Sequence, residues 1–568
     1  MLSRSLVLSL VSGMCFGTSA LAGPVCGIFV STGGADAPGG GLTPESAVQS
    51  ISFALTRAQD EALECVFVQS GTYKEIVTLV DGVTIDGGYD LNWERDVYSD
   101  PEHEVRILGA SDKSLGQYVT VVATNLATGA VLQNLVIESP DAMGSTNGSG
   151  LNTAGVYAFS TTLLTLEDVR IECGDGAPGD RGTDGTDATQ ELPPSGGRGG
   201  DGGFVSECDD TTRGSGGAPA MNDTIGAASL GGEGGEGGTA NQRCTGVPII
   251  PFPTMGLPGA DATLSQSGGY GEGGSGGANI CTISESAGGD GSVGRIIDGD
   301  GGAGGGGGVL LDGAWHSLAG EPGTIGEHGG GGGGGGGAGG CNTTTNAFGA
   351  GGGGGGAGGV RSALAGTGGE GGGGSFGVFS LDSSLLLINV EVVQGDGGSG
   401  GDGGDGGLGQ PGGDGGRRGL PDLSGPGGGS PGGDGGDGGR GGHSGAGGGG
   451  TGGPSVGVYL EGGVFNQLST TFVLGNAGAG GAGGAGGSAQ ANGAPGADGV
   501  SAATVTSESA TVGDEFGVQL AARLSGRGSV CDVAPCTIGV CPPADLNADG
   551  AVNSADLAIL LAAWGACP

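Results

Sequence analysis

Between Cys173 and Ser375 about two hundred residues are built largely from Gly-Gly-X triplets, and shorter stretches of the same kind occupy 395–455 and 475–499. Glycine supplies 150 of 568 residues and has no side chain to bury, so these stretches form no ordinary apolar core. They are either disordered or held by backbone hydrogen bonds.

A collagen triple helix needs glycine at every third position with many prolines between. Here two of each three residues are glycine and the whole chain has 24 prolines, so collagen fails. A calcium β-roll needs tandem nonapeptides; Gly400 to Asp405 matches the first six places, but Gly407 stands where an apolar residue belongs. The third reading is a bundle of extended helices with three residues per turn, the polyglycine form of polyproline II. Two faces of such a helix are bare glycine, so neighbours approach and exchange N–H···O=C bonds while X faces outward. One isolated tract pays too much entropy to order, but anchoring both ends on a rigid scaffold lowers that cost. Gln410-Pro411 and Leu420-Pro421-Asp422 are then expected turns between helices. Flexible low-complexity linker is the competing reading, and composition leaves both open.

Residues 1–22 read as an export signal, with Arg4, an apolar run from Leu6 to Phe16, and Ala20-Leu21-Ala22 before Gly23. The expected product is secreted. The net charge is −42, and removing residues 1–22 takes one arginine and no acid, leaving −43. Nucleic acid and anionic membrane are poor partners for such a surface, and no later segment has enough apolar residues to span a bilayer. Eleven cysteines after cleavage argue for disulfides plus one odd thiol. Cys26 and Cys65 open similar strands and are expected to pair; Cys541 with Cys567 and Cys531 with Cys536 are further candidates. The pairing among Cys208, Cys244, Cys281 and Cys341 is left open.

From Gly27 to Gly109 the composition is ordinary. Ile28-Phe29-Val30 and Val66-Phe67-Val68 read as buried strands, with one amphipathic helix expected from Pro44 to Ala62. Gly71-Thr72-Tyr73-Lys74-Glu75 and Val83-Thr84-Ile85-Asp86-Gly87-Gly88 follow. A unit then repeats: Gly155-Val156-Tyr157 leads to Gly174, Gly377-Val378-Phe379 to Gly395, and Gly457-Val458-Tyr459 to Gly475, with a looser relative from Val119 to Ile137. Each of the three closest copies runs into a glycine tract, so the tracts read as insertions at one corner of a β-solenoid. The order of elements over 27–110, with the Gly-Thr-Tyr turn and Gly88-Tyr89, Trp93, Arg95-Asp96, resembles the opening of secreted right-handed parallel β-helix proteins of the pectin-lyase-like superfamily. The resemblance implies a mainly β fold. The expected organisation is a cap and first coils at 23–150, coils interrupted by glycine tracts (174–375, 395–455 and 475–499) over 151–530, and a separate module at 541–568.

That module holds Asp545-Leu546-Asn547-Ala548-Asp549-Gly550-Ala551-Val552-Asn553-Ser554-Ala555-Asp556, a twelve-residue calcium loop. Asp545, Asn547 and Asp549 supply oxygens at positions 1, 3 and 5, Gly550 makes the sharp turn, Ala551 offers its carbonyl, Asn553 acts through water and Asp556 closes the loop. An apolar-faced helix from Leu557 to Trp564 completes an EF-hand-like unit. It resembles the dockerin type I repeat, which implies Ca2+ as cofactor and a cohesin-type partner. Dockerins carry two such repeats and this chain carries one, so a terminal stabilising or surface-sorting role stands beside docking.

The β-helix resemblance also raises polysaccharide lyases and glycoside hydrolases, which use clustered carboxylates and a basic residue in a groove. The polygalacturonase-type signatures are absent. Asp209-Asp210, Asp402 and Asp405 read as solvated charges, the four histidines as surface residues, and Asp168 and Asn389 as makers of turn or ladder hydrogen bonds. The sequence therefore points to a secreted, non-catalytic solenoid acting in adhesion, in matrix structure or on a polysaccharide or cell surface. A carbohydrate-active enzyme is the alternative.

Overall fold

The computed structural model describes residues 27–512 except 110–112, 115–116, 206–212, 241, 245–246, 250–252, 263–270, 343–345, 424–428 and 508–510. The chain is mainly β, with its strands in two principal sheets. In the longer sheet the strands Gly27–Val30, Cys65–Gln69, Thr84–Tyr89, Ala130–Glu138, Leu164–Glu172, Leu385–Ile388 and Val464–Leu468 lie side by side, all parallel. In the shorter sheet Val77–Thr78, Gln117–Thr124, Thr153–Phe159, Ser375–Leu381, Ser455–Glu461 and Ser501–Thr506 are also parallel neighbours. Two stacked parallel sheets are compatible with a β-solenoid.

The repeated units align in this register: Val121, Val156, Val378 and Val458 are successive partners, as are Val122, Tyr157, Phe379 and Tyr459. The valines face Leu132, Leu166 and Leu387 of the longer sheet, all fully buried, in one core. Burying such a side chain stabilises by about 1.5–3 kcal/mol. Asn134, Asp168, Asn389 and Ser469 occupy one corner with φ of 54°, 52°, 52° and 54°, a left-handed conformation that Asn and Asp tolerate better than most residues. Asn389 Nδ2 donates to Asp168 Oδ1 at 2.5 Å, the ladder bond expected of that pair.

The single helix expected from Pro44 to Ala62 is a short turn at Pro44–Ser46 and a helix at Ile51–Asp60. Val48 is diverted into a parallel bridge with Val30, and the backbone N–H groups of Gln49 and Ser50 donate to Asp36. Ser50 then caps the helix by accepting from Phe53 N, while Glu75 takes the N–H groups of Ile51 and Ser52. Among the described residues no helix is long and apolar enough to cross a membrane.

Candidate functional site

Among the described residues the backbone hydrogen bonds of the glycine tracts repeat every three residues. In the segment 332–340, Gly332, Gly335 and Ala338 donate to Gly356, Gly353 and Ala350. Gly333, Gly336 and Gly339 donate to Ser292, Gly289 and Ser286, and Gly334, Gly337 and Gly340 to Ala260, Leu257 and Thr254, all at 2.8–3.0 Å. Carbonyls of the same stretch accept from three further segments, through Gly232 and Gly235, Gly271 and Gly274, and Gly433 and Gly436. Each such segment, a lane of the array, can therefore have six neighbours, and residues 330–340 are buried throughout. No glycine in this stretch has a positive φ, so glycine is required here for space. A Cβ on Gly336 would overlap the carbonyl oxygen of Ser275, and one on Gly450 that of Glu370.

The array continues the coil stacking. Leu164 and Leu385 pair at the offset that also joins Asp175 to Asp396, Asp184 to Asp405 and Asp187 to Leu408. The offset of 80 between Glu391 and Thr471 recurs between Asp396 and Asn476, Asp402 and Ala482, and Asp405 and Ala485. In each of these lane pairs an aspartate Oδ1 accepts the backbone N–H of the outward residue on the next lane, at 2.6–2.9 Å. Asp402 and Asp405 are thus structural acceptors, which corrects the expectation of merely solvated charge: an outward N–H has no lane to donate to. Gln410-Pro411 is likewise no turn. The lane runs on through Gln410, Gly413 and Gly416, which donate to Val360, Ala357 and Gly354, because Pro411 sits at an outward position where no lane needs an N–H. The reversal falls after Leu420, where Gly432 and Gly435 return antiparallel to Gly419 and Gly416.

Each tract is closed at its base by a hydroxyl. Ser375 Oγ donates to Gly174 O, Ser455 Oγ to Gly395 O and Ser501 Oγ to Gly475 O, at 2.7–2.8 Å, and Thr153 Oγ1 does the same for Pro140 O. The first three residues re-enter the coil beside the glycine at which the chain left it. Sequence reasoning missed these hydroxyls; the signal for Thr153, Ser375 and Ser455 was a Ser or Thr two residues before each Gly-Val step, and Ser501 carries no such mark. Cys173, beside the first exit, is a free cysteine whose thiol burial pushes up to about 12, so it is a weak nucleophile. Cys281 and Cys341 form a disulfide within the array. Cys65 is also disulfide-bonded, and its expected partner Cys26 lies outside the described residues.

A second grouping lies on the outer face of the longer sheet, where Asp86, Gln133 and Glu167 are cross-strand partners. Asp86 is fully buried; Arg95 grips it through Nη2 at 2.9 Å and Nε at 3.1 Å, and Tyr89 Oη donates to it at 2.6 Å. Burial pushes the Glu167 carboxyl up, the charges of Asp168 and Asp86 add to this, and Arg95 opposes it. Further along, Arg106 bridges Glu104, Glu138 and Glu172, and Arg170 bridges Glu172 and Glu391. Sequence reasoning did not assemble this face, whose ion pairs join residues as far apart in the chain as Arg170 and Glu391.

His443 Nδ1 accepts from Gly409 N at 3.0 Å and His328 Nδ1 from Arg361 N at 3.2 Å. Burial first, then a neighbouring arginine, pushes both imidazoles down, so they serve as neutral acceptors within the array. The calcium loop (Asp545, Asn547, Asp549, Ala551, Asn553 and Asp556), the export signal, Asp209-Asp210, Cys208 and the cysteines at 531, 536, 541 and 567 lie outside the described residues. No family model, curated protein or solved structure matches the chain.

Proposed function

We propose that the chain is a secreted, non-catalytic surface or matrix protein: a right-handed parallel β-helix that holds a rigid bundle of polyglycine II helices outward. The supporting observation is the six-neighbour hydrogen-bonded array around residues 330–340, continuous in register with the coils. A net hydrogen bond is worth about 1 kcal/mol, against about 1–2 kcal/mol to fix one residue's backbone. A lone lane therefore does not persist, whereas lanes clamped at Ser375, Ser455 and Ser501 and shared among six neighbours do. Such a body presents columns of carboxylates and small residues, suited to adhesion or packing against a polysaccharide or cell surface. The calcium loop at Asp545–Asp556 completes the proposal as a terminal Ca2+ module, with docking to a cohesin-type partner as its further reading.

Screening the purified protein against polysaccharides tests the main reading: retention without cleavage is expected, and release of reducing or unsaturated ends would refute it. Titration of calcium into a 541–568 peptide and its Asp545→Ala form tests the module, with saturable binding expected of the first alone. The second functional reading, a polysaccharide lyase or hydrolase, draws on the raised Glu167 carboxyl beside Asp168 and Arg95. It requires that cleavage be found and be lost in Glu167→Gln.

A further inference from the structure

The Gly-Gly-X period lapses where four segments of the array meet, at 326–328, 360–364, 407–410 and 441–444. Side chains there accept what a lane carbonyl accepts elsewhere. Gln410 Oε1 takes the N–H of Val360 at 2.9 Å and Ser444 Oγ that of Gly407 at 2.7 Å; His443 Nδ1 takes Gly409 and His328 Nδ1 takes Arg361. Backbone bonds tie these positions together, because Ser362 N donates to Gly442 O and Gly442 N to Glu327 O. The two imidazoles therefore belong to one connected seam.

A backbone N–H points at Nδ1 only while that nitrogen keeps its lone pair, so both rings carry their proton on Nε2. Gln410 and Ser444 do not titrate, and of the side chains that accept backbone N–H groups in this seam the imidazoles alone change charge between about pH 5 and 8. The charges acting on His443 are Arg440 on its own lane, Asp298, which accepts His443 N at 2.9 Å, and Asp187. Asp414 and Asp437 line the same cleft, and Gly487 packs so closely on the ring that a Cβ there would strike it. Arg361 acts on His328, with Glu327 beside it in the chain and Arg295 on the lane whose carbonyl accepts Gly330 N. Burial and the two guanidiniums hold both imidazoles below their usual range, against the carboxylates of Asp298 and Asp187 at His443. In the unfolded chain a histidine titrates at about 6.5. The seam therefore keeps its full strength above that pH and loses it as the pH falls through the lower folded values.

We infer that His443 and His328 form an acid-sensitive latch: a proton taken from water onto each Nδ1 turns both acceptors into donors, releases the N–H groups of Gly409 and Arg361, and loosens this seam while the coils stay intact. The latch adds a response to mild acid to the scaffold proposed above, whatever that scaffold binds.

Hydrogen exchange on the full chain at pH 7.5 and pH 5, corrected for intrinsic rates, tests the inference. Gly409 and Arg361 should lose protection by about fivefold at pH 5, the worth of one hydrogen bond, whereas Leu164–Glu172 and Gly333–Gly340 should not change. The double variant His443→Asn, His328→Asn places a non-titrating acceptor oxygen near each Nδ1 and should hold Gly409 and Arg361 equally at both pH values. Nitrogen-15 NMR of the unmodified protein gives a reading that needs no variant: both rings should be Nε2–H tautomers at pH 7.5 and should gain their second proton below pH 6.5. Unchanged protection of Gly409 and Arg361 at pH 5 would overturn the inference. So would a proton on Nδ1 at pH 7.5, or the same acid loss in the double variant.

Discussion

The coils and the glycine array are both buried at their centres, yet burial achieves different things in them. In the coils, Leu132, Leu166 and Leu387 remove apolar surface from water. Around Gly330–Gly340 there is almost no side chain to remove, and burial instead brings backbone N–H and C=O groups within reach of six neighbours. The first kind of interior fails by cavity and the second by collision. The dependence between them is also one-sided, because the tracts begin and end on coil residues, whereas the coil interior around Leu132, Leu166 and Leu387 contains no lane residue.

The largest expected effect comes from opening a cavity in the coils. Leu387→Ala should cost roughly 2–5 kcal/mol and, because both ends of each tract are seated on coils, should lower the melting of coil and array together. Separate melting of the two would break the one-sided dependence.

A collision in the array should cost less and stay local. Gly336→Ala is expected to destabilise by roughly 1–3 kcal/mol, with amide protection lost across residues 330–359 and kept in Leu164–Glu172. Ala482→Ser, at an exposed outward position, should leave both intact. Equal tolerance of the two substitutions would show that the close contacts of Gly336 do not exist.

Smaller effects should follow the polar fittings. Ser375→Ala removes the clamp on Gly174 and should cost about 1 kcal/mol, read by denaturant unfolding; Asp405→Ala should cost less, and Asp405→Asn, which keeps the accepting oxygen, less still. Acid should act on the array first. Arg440 donates to Asp298 at 2.6 and 2.7 Å and holds that carboxyl down at about 2, with His443 N–H assisting against burial. In the unfolded chain an aspartate titrates near ~3.9, so ionised Asp298 favours the native state fully above about pH 4. Its contribution disappears as the pH falls through about 2, and Asp298→Asn should flatten that part of the array's acid unfolding curve.

The coils were legible because their side chains carry the pattern: Gly-Val-aromatic steps at Val156, Val378 and Val458 mark one register. The three-residue period of the tracts was legible too. Which lane lies beside which was not, because a glycine face is identical wherever it occurs and names no partner. Only the outward residues encode register, as Asp175, Asp396 and Asn476 do, and their constant offsets become meaningful once the coils are aligned. The grip of Arg95 on Asp86 was hidden for another reason: the Gly88-Tyr89 to Arg95 segment was read as a family likeness, while the buried carboxylate it serves lies just before it, on the strand Thr84–Tyr89.

Residue-resolved hydrogen exchange on the intact protein addresses the central claim most directly. Protection should run without a gap through Gly332–Gly340 and should recur every third residue, at Gly478, Gly481 and Gly484, in the outermost lane, where these amides donate inward to Gly453, Gly450 and Gly447. Exchange of all these amides at the rate of an unstructured chain, with the coil strands still protected, would contradict the account.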